Sequence, residues 1–134
     1  MAINLDHTIV PAKDKEASAS FFAEIFGLTV EAGYFARVQV NKSLTLAFTD
    51  EPERWGDTGY DLGKNQCHHY AFHVSDVEFD AIFSRIKEKD VPYGSGPYSF
   101  DDGRLYRRRG GRGLYFKDPY GNLLEIMTVP ETGS

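Results

Sequence analysis

The sequence predicts an α+β fold built from two β-α-β-β-β modules. Three observations carry this prediction. The order strand, amphipathic helix, three short strands occurs twice along the chain. The starts of the two occurrences overlay without gaps, "HTIVPAKD" (7–14) on "HYAFHVSD" (69–76), with His on His and Asp on Asp. The last strands overlay as "LAFT" (46–49) on "LEIM" (124–127), which places Ala47 on Glu125. Module one covers about residues 3–50, a linker 51–66, and module two about 67–129, all in a single domain.

Each element has its own local cause. "INLDHTIV" alternates, so Leu5, His7 and Ile9 share one strand face. "DKEASASFFAEIFG" predicts a helix, with Asp14 as N-cap, an apolar stripe of Phe21, Phe22, Ile25 and Phe26, and Gly27 as its stop. "LTVEAGYFARVQVNKSLTLAFT" holds three strand-like runs broken at Ala32-Gly33 and Asn41-Lys42. Residues 50–66 are polar and rich in Gly, and predict a loop. "CHHYAFHV" is the second module's first strand. "SDVEFDAIFSRIKEKD" opens on a capping box, Ser75 to Glu78, and carries Phe79, Ile82, Phe83 and Ile86 at helical spacing. "VPYG" starts a short strand, and a Gly/Arg-rich loop follows. Then come "RGLYFKD", a turn at "DPYG", and "NLLEIMTV".

Bulk properties exclude several classes. The 134-residue chain has a net charge of -5, the wrong sign for nonspecific binding to nucleic acid. No apolar run approaches the length of a membrane span, and "MAINLDHTIV" lacks the pattern of a signal peptide. The single cysteine, Cys67, forms no internal disulfide and fits a cytoplasmic location. Expected partners are therefore a small molecule, with no nucleic acid and no membrane.

Three of the four histidines lie in "QCHHYAFHV" (66–74). Strand alternation puts His68 on one face and His69 and His73 on the other. Four strand residues span ~13 Å, too far for His69 and His73 to share one metal ion. The repeat singles out His69, because it overlays His7. Glu125 sits between Leu124 and Ile126 in an apolar strand, where an unpaired carboxylate is costly. A metal ion or an arginine such as Arg37 would satisfy it. Five of the eight arginines, including Arg107, crowd into "RLYRRRGGR" (104–112). That segment is either a solvated loop or a glycine-hinged lid whose arginines meet an anionic substrate.

These residues resemble the vicinal oxygen chelate superfamily, the glyoxalase, bleomycin-resistance and extradiol-dioxygenase group. "LDHTIV", "HHYAF" and "GRGLYFKDPYGNLLEI" carry the resemblance, which covers nearly the whole chain. It implies that the modules form a curved mixed-sheet cup with a divalent metal on its floor. It implies the ligands His7, His69 and Glu125. Two imidazoles and a carboxylate suit Fe2+ or Mn2+, and also Zn2+ or Ni2+. Glyoxalase I-like members carry a Glu where this chain has Ala47, which favours members with three protein ligands. Extradiol dioxygenases begin the second-histidine strand with His-His and place a tyrosine ten residues before the ligand Glu. Here those residues are His68-His69 and Tyr115, so Tyr115 is the candidate catalytic acid/base. Most such dioxygenases have four modules, however, and this chain has two.

Fosfomycin-type transferases share the triad, but their arginine soon after the ligand Glu is missing from "IMTVPETGS". The leading expectation is thus a metal-dependent, extradiol dioxygenase-like enzyme on a small oxygenated substrate, anionic or a vicinal diol. Arg37, His73 and Arg107 are its candidate substrate contacts. The alternatives are a metal-free antibiotic-binding protein, or a glyoxalase or fosfomycin-resistance-type lyase or transferase. Members of this size imply a homodimer.

Overall fold

The computed structural model describes residues 3–55 and 68–131. The chain divides into two compact units, Met1–Cys67 and His68–Ser134. Cys67 and most of the linker lie outside the described residues. No described helix is long and apolar enough to cross a membrane.

The first unit follows the predicted order. Strand β1 (His7–Pro11) leads into helix α1 (Lys15–Phe26), then β2 (Val30–Glu31), β3 (Ala36–Gln39) and β4 (Thr45–Thr49). The sheet runs β1-β4-β3-β2, with β1 parallel to β4 and the other pairs antiparallel. Asp14 caps α1 by accepting from the Ala17 N–H at 3.1 Å. Gly27 ends it in the left-handed region at φ 74°. The helix presses Phe22, Ala23 and Ile25 onto the sheet residues Val10, Ala36, Val38, Leu46 and Phe48, all of them buried. Where the sequence predicts only loop after residue 50, Pro52–Trp55 forms a 3-10 turn.

The second unit has one strand more than predicted. It contains β5 (His69–His73), helix α2 (Asp76–Glu88), β6 (Tyr93–Gly94), β7 (Tyr106–Arg108), β8 (Gly111–Lys117) and β9 (Leu123–Met127). The main path is β5-β9-β8-β6, with β5 parallel to β9, and β7 pairs with β8. The predicted capping box forms on α2. Ser75 Oγ accepts from the Glu78 N–H at 3.1 Å, and Glu78 Oε1 accepts from the Ser75 N–H at 3.3 Å. Phe79, Ile82 and Ile86 are buried with Leu114, Phe116 and Ile126.

The extra strand corrects the lid expectation. Residues 106–113 form a two-residue hairpin, closed through Arg109 (φ 47°) and Gly110 (φ 80°). Gly111 and Gly113 are buried, and a Cβ on Gly113 would fall 2.1 Å from Tyr106 Cζ. These glycines permit close packing, where the lid alternative required motion. The arginines turn to their own chain as well. Arg109 bonds the carbonyls of Pro130 and Glu131, and Arg112 pairs with Asp76 and Asp80.

The two units keep the same register. His7 lies opposite Thr45 and Ile9 opposite Ala47; His69 lies opposite Leu123 and Ala71 opposite Glu125. The overlay drawn from sequence is therefore reproduced strand by strand.

The predicted "DPYG" turn joins β8 to β9. Asp118 Oδ1 accepts from the backbone N–H groups of Tyr120, Gly121 and Asn122 at 2.9–3.0 Å, and Oδ2 accepts from Asn122 Nδ2 at 2.8 Å. Burial raises the Asp118 carboxyl above its ordinary pKa, while the bonds from Asn122, Gly121 and Tyr120 pull it down. Replacing Asp118 with Ala strands several buried donors, and should lower the unfolding free energy by about 2 kcal/mol in urea titrations.

Candidate functional site

Strand β9 is buried along its whole length, and Glu125 is its one charged side chain, 4% exposed. Burial of a carboxylate demands partners. Parallel pairing with β5 brings His69 beside it, with Nε2 3.1 Å from Oε1. The other oxygen, Oε2, accepts a short hydrogen bond from the Tyr106 hydroxyl.

The histidine is oriented from behind. Its Nδ1 lies 2.9 Å from the Leu123 carbonyl, which can only accept, so Nδ1 carries the proton. That leaves Nε2 as the nitrogen facing Glu125. An imidazole lone pair and a carboxylate 3.1 Å apart need a cation between them, either a second ring proton or a metal ion. The arrangement suits a metal. Metal-bound histidines characteristically donate their other N–H to a carbonyl or carboxylate. Two ligand atoms each ~2.1 Å from one ion, at a right angle, are about 3 Å apart. The donor set fits the divalent ions expected from the sequence.

Two tyrosines border the pair. Tyr115, on β8, lies directly opposite Glu125, and its ring is near-parallel to the His69 ring, with centroids 5.9 Å apart. Burial, and then the charge of Glu125, raise its pKa and keep its phenol protonated. Tyr106 packs 5.7 Å from Tyr115, and its pKa is raised more strongly, by burial and then by the bond to Glu125. Arg108 supports Tyr106, with Nη2 3.5 Å from the Tyr106 hydroxyl and 3.3 Å from both Met127 Sδ and the Val129 carbonyl. Arg108 Nε is buried without a hydrogen-bond partner. Sequence reasoning missed Tyr106 and Arg108 because their segment looked like loop. The available signal was Gly113, a buried-strand glycine marking the close approach of another group.

The other predicted residues are placed as follows. His7 stands in the first unit at the register position equivalent to His69, and its Nδ1 lies 2.8 Å from Asp6 Oδ2. Its Nε2 is thus also the nitrogen left for a ligand. Arg37 is on β3, where its guanidinium lies 5.5 Å from the Phe35 ring; the partners of Glu125 within its own unit are His69 and Tyr106. His73 Nε2 is 3.2 Å from the Thr128 carbonyl. Arg107 is exposed on β7. Among the described residues, no three His, Cys, Asp or Glu side chains form a group that could hold a metal ion. The first unit also presents an open pocket of about 430 Å³, lined by His7, Ile9, Phe35, Arg37, Ala47 and Trp55, with Asp6 and Thr45 completing it.

The βαβββ order thus occurs in both units with one register, and the second unit carries a His–Glu pair on its outer and adjacent strands. The profile of the Glyoxalase/Bleomycin resistance protein/Dioxygenase superfamily matches residues 4–126, and the chain belongs to that superfamily. Among solved structures, it is similar to the oxidase ChaP-H2 (41% identity, covering 99% of this chain and 98% of that one, TM-score 0.83). It is also similar to the oxidase ChaP-H1 (40% identity, 98% and 100%, TM-score 0.82). A more distant relative is the metallothiol transferase FosB of Lysinibacillus sphaericus (strain C3-41), 28% identical over 131 residues, covering 93% of this chain and 82% of that protein.

The role given to Tyr106 is testable without a substrate. Tyr106→Phe removes a donor from a buried carboxylate, and should destabilise the metal-free protein by about 1.5–3 kcal/mol in urea titrations. Gly113→Ala should do at least as much harm, because its Cβ occupies the space of the Tyr106 ring.

Proposed function

We propose that this protein is a metal-dependent oxidase of a small oxygenated substrate. The carrying observation is the His69–Glu125 pair, in which the ring is held through Nδ1 and Nε2 is aimed at a carboxylate oxygen. The proposed ligands are His69, Glu125 and His7, with Fe2+ or Mn2+ as the favoured ion. His7 joins the set because the repeat gives it the position of His69 and because Asp6 orients it in the same way. The full assembly in this reading is a cytoplasmic homodimer.

Oxidation is favoured over thiol transfer for two reasons. The oxidases resemble the chain at 41% and 40% identity, the metallothiol transferase at 28%. The residues after Glu125, "IMTVPETGS", also hold no arginine to receive a phosphonate. Within oxidation, ring cleavage of the extradiol type is the finer proposal, and it rests on His68-His69 and Tyr115.

The chain's own groups divide the work. Leu123 fixes the tautomer of His69. Tyr106 occupies Oε2 and so leaves Oε1 as the ligand atom of Glu125. Tyr115, kept neutral, offers a phenolic proton to a substrate oxygen beside the pair. A bound divalent ion would supply Lewis acidity, drawing together the vicinal oxygens of the substrate.

Chain purified without chelators should take up one Fe(II) or Mn(II) per chain. His69→Ala and Glu125→Gln should each weaken that affinity at least tenfold by calorimetry, in line with the cost of disturbing a metal's ligand shell. Metal-dependent oxygen uptake with catechol-type substrates should disappear in the same variants. A chain that binds none of these ions, and that His69→Ala leaves unchanged, would end the metal reading.

A further inference from the structure

The two modules share a register but no longer share chemistry. In the second module Glu125 stands opposite Tyr115 on β8 and two residues along from the His69 pairing position. The equivalent residues of the first module are Ala47, opposite Arg37 on β3, and His7. A carboxylate and a phenol have been exchanged for a methyl group and a guanidinium.

The exchange has a steric and an electrostatic consequence. Alanine leaves open the volume that a glutamate side chain would fill, and Ala47 lines the 430 Å³ pocket. That volume falls within the range of small-molecule sites. Arg37 supplies a permanent positive charge to the pocket, and no ion pair holds its guanidinium among the described residues. Asp6, the one carboxylate lining the pocket, lies 2.8 Å from His7 Nδ1. Two aromatic rings complete the wall, Phe35 and Trp55, with centroids 5.3 Å apart and planes at 53°. Half of the Trp55 surface remains exposed.

We infer that the pocket of the first unit binds a planar aromatic carboxylate, its ring against Phe35 and Trp55 and its anionic group on Arg37. Guanidinium and carboxylate make a bidentate, charge-assisted pair. Aromatic faces take the ring at little entropic cost, because Phe and Trp have few rotamers to lose. The inference rests on the proposed function only in calling this ligand the substrate; its contacts, Arg37, Phe35 and Trp55, are not among the proposed metal ligands, although His7 also lines the pocket.

The chain has a single tryptophan, so Trp55 reports on its own pocket. The probes are 4-nitrobenzoate and its neutral counterpart 4-nitrobenzamide, both fluorescence quenchers, titrated into full-length protein in EDTA. Wild type should show saturable quenching by 4-nitrobenzoate. Arg37→Gln should weaken that binding about tenfold and leave 4-nitrobenzamide within about twofold, tenfold being ~1.4 kcal/mol, the scale of one charged contact. Arg37 is an exposed strand residue, so the variant should fold, and its melting curve checks this. Absence of saturable quenching in wild type overturns the inference. So does an Arg37→Gln variant that binds both probes as wild type does. Because EDTA is present throughout, a failed metal-uptake experiment leaves this result standing, and a failed titration leaves the metal reading standing.

Discussion

The second unit is organised around one buried carboxylate. Glu125 lies in the middle of a strand with no exposed residue, where a lone charge would cost several kcal/mol. Each of its neighbours can be read as part of the answer. The parallel register of β5 on β9 delivers His69 to one oxygen. The hairpin of β7 on β8 delivers Tyr106 to the other. Gly113 lacks a side chain because the Tyr106 ring takes that space. Arg108 then holds the phenol from behind. A strand sequence such as Leu-Leu-Glu-Ile-Met is tolerable only with this surrounding, which is why the site and the fold of this unit cannot be separated.

The first unit shows what the same backbone does without that constraint. With Ala47 in place of the carboxylate there is nothing to neutralise, so neither a tyrosine hairpin nor a facing phenol is required. An arginine occupies the facing position, and the vacated volume is open as a pocket. The two units therefore carry one strand register, and single side chains at matched positions set opposite electrostatics. His7 and His69 keep matched register positions, each with Nδ1 engaged.

Most of the elements were legible in the sequence because their causes are local. Asp14, Gly27 and the Ser75–Glu78 box act within one turn of helix, and strand alternation acts between residues two apart. The repeat also carried long-range information: matching His7 to His69 and Ala47 to Glu125 anticipated the strand registers of both units. The segment 104–112 was not legible. Glycine gives the same signal in a sequence whether it provides freedom or closeness. Gly110 bends a hairpin, whereas Gly113 admits a ring from a neighbouring strand, and only the packing tells them apart. Tyr106 was overlooked for that reason, although it touches the central carboxylate.

By itself, the sequence determined the two-module α+β plan, the helix ends, the superfamily and the candidacy of His69 and Glu125. Those follow from short-range periodicity and from repetition within the chain. Tertiary structure alone decided that Nδ1 of His69 is tied to Leu123, that Glu125 shares its oxygens between His69 and Tyr106, and that Arg37 faces a pocket lined by Phe35 and Trp55. Each of these depends on contacts between strands far apart in the chain. Their side-chain geometry is set by sheet register and burial, which no local pattern specifies.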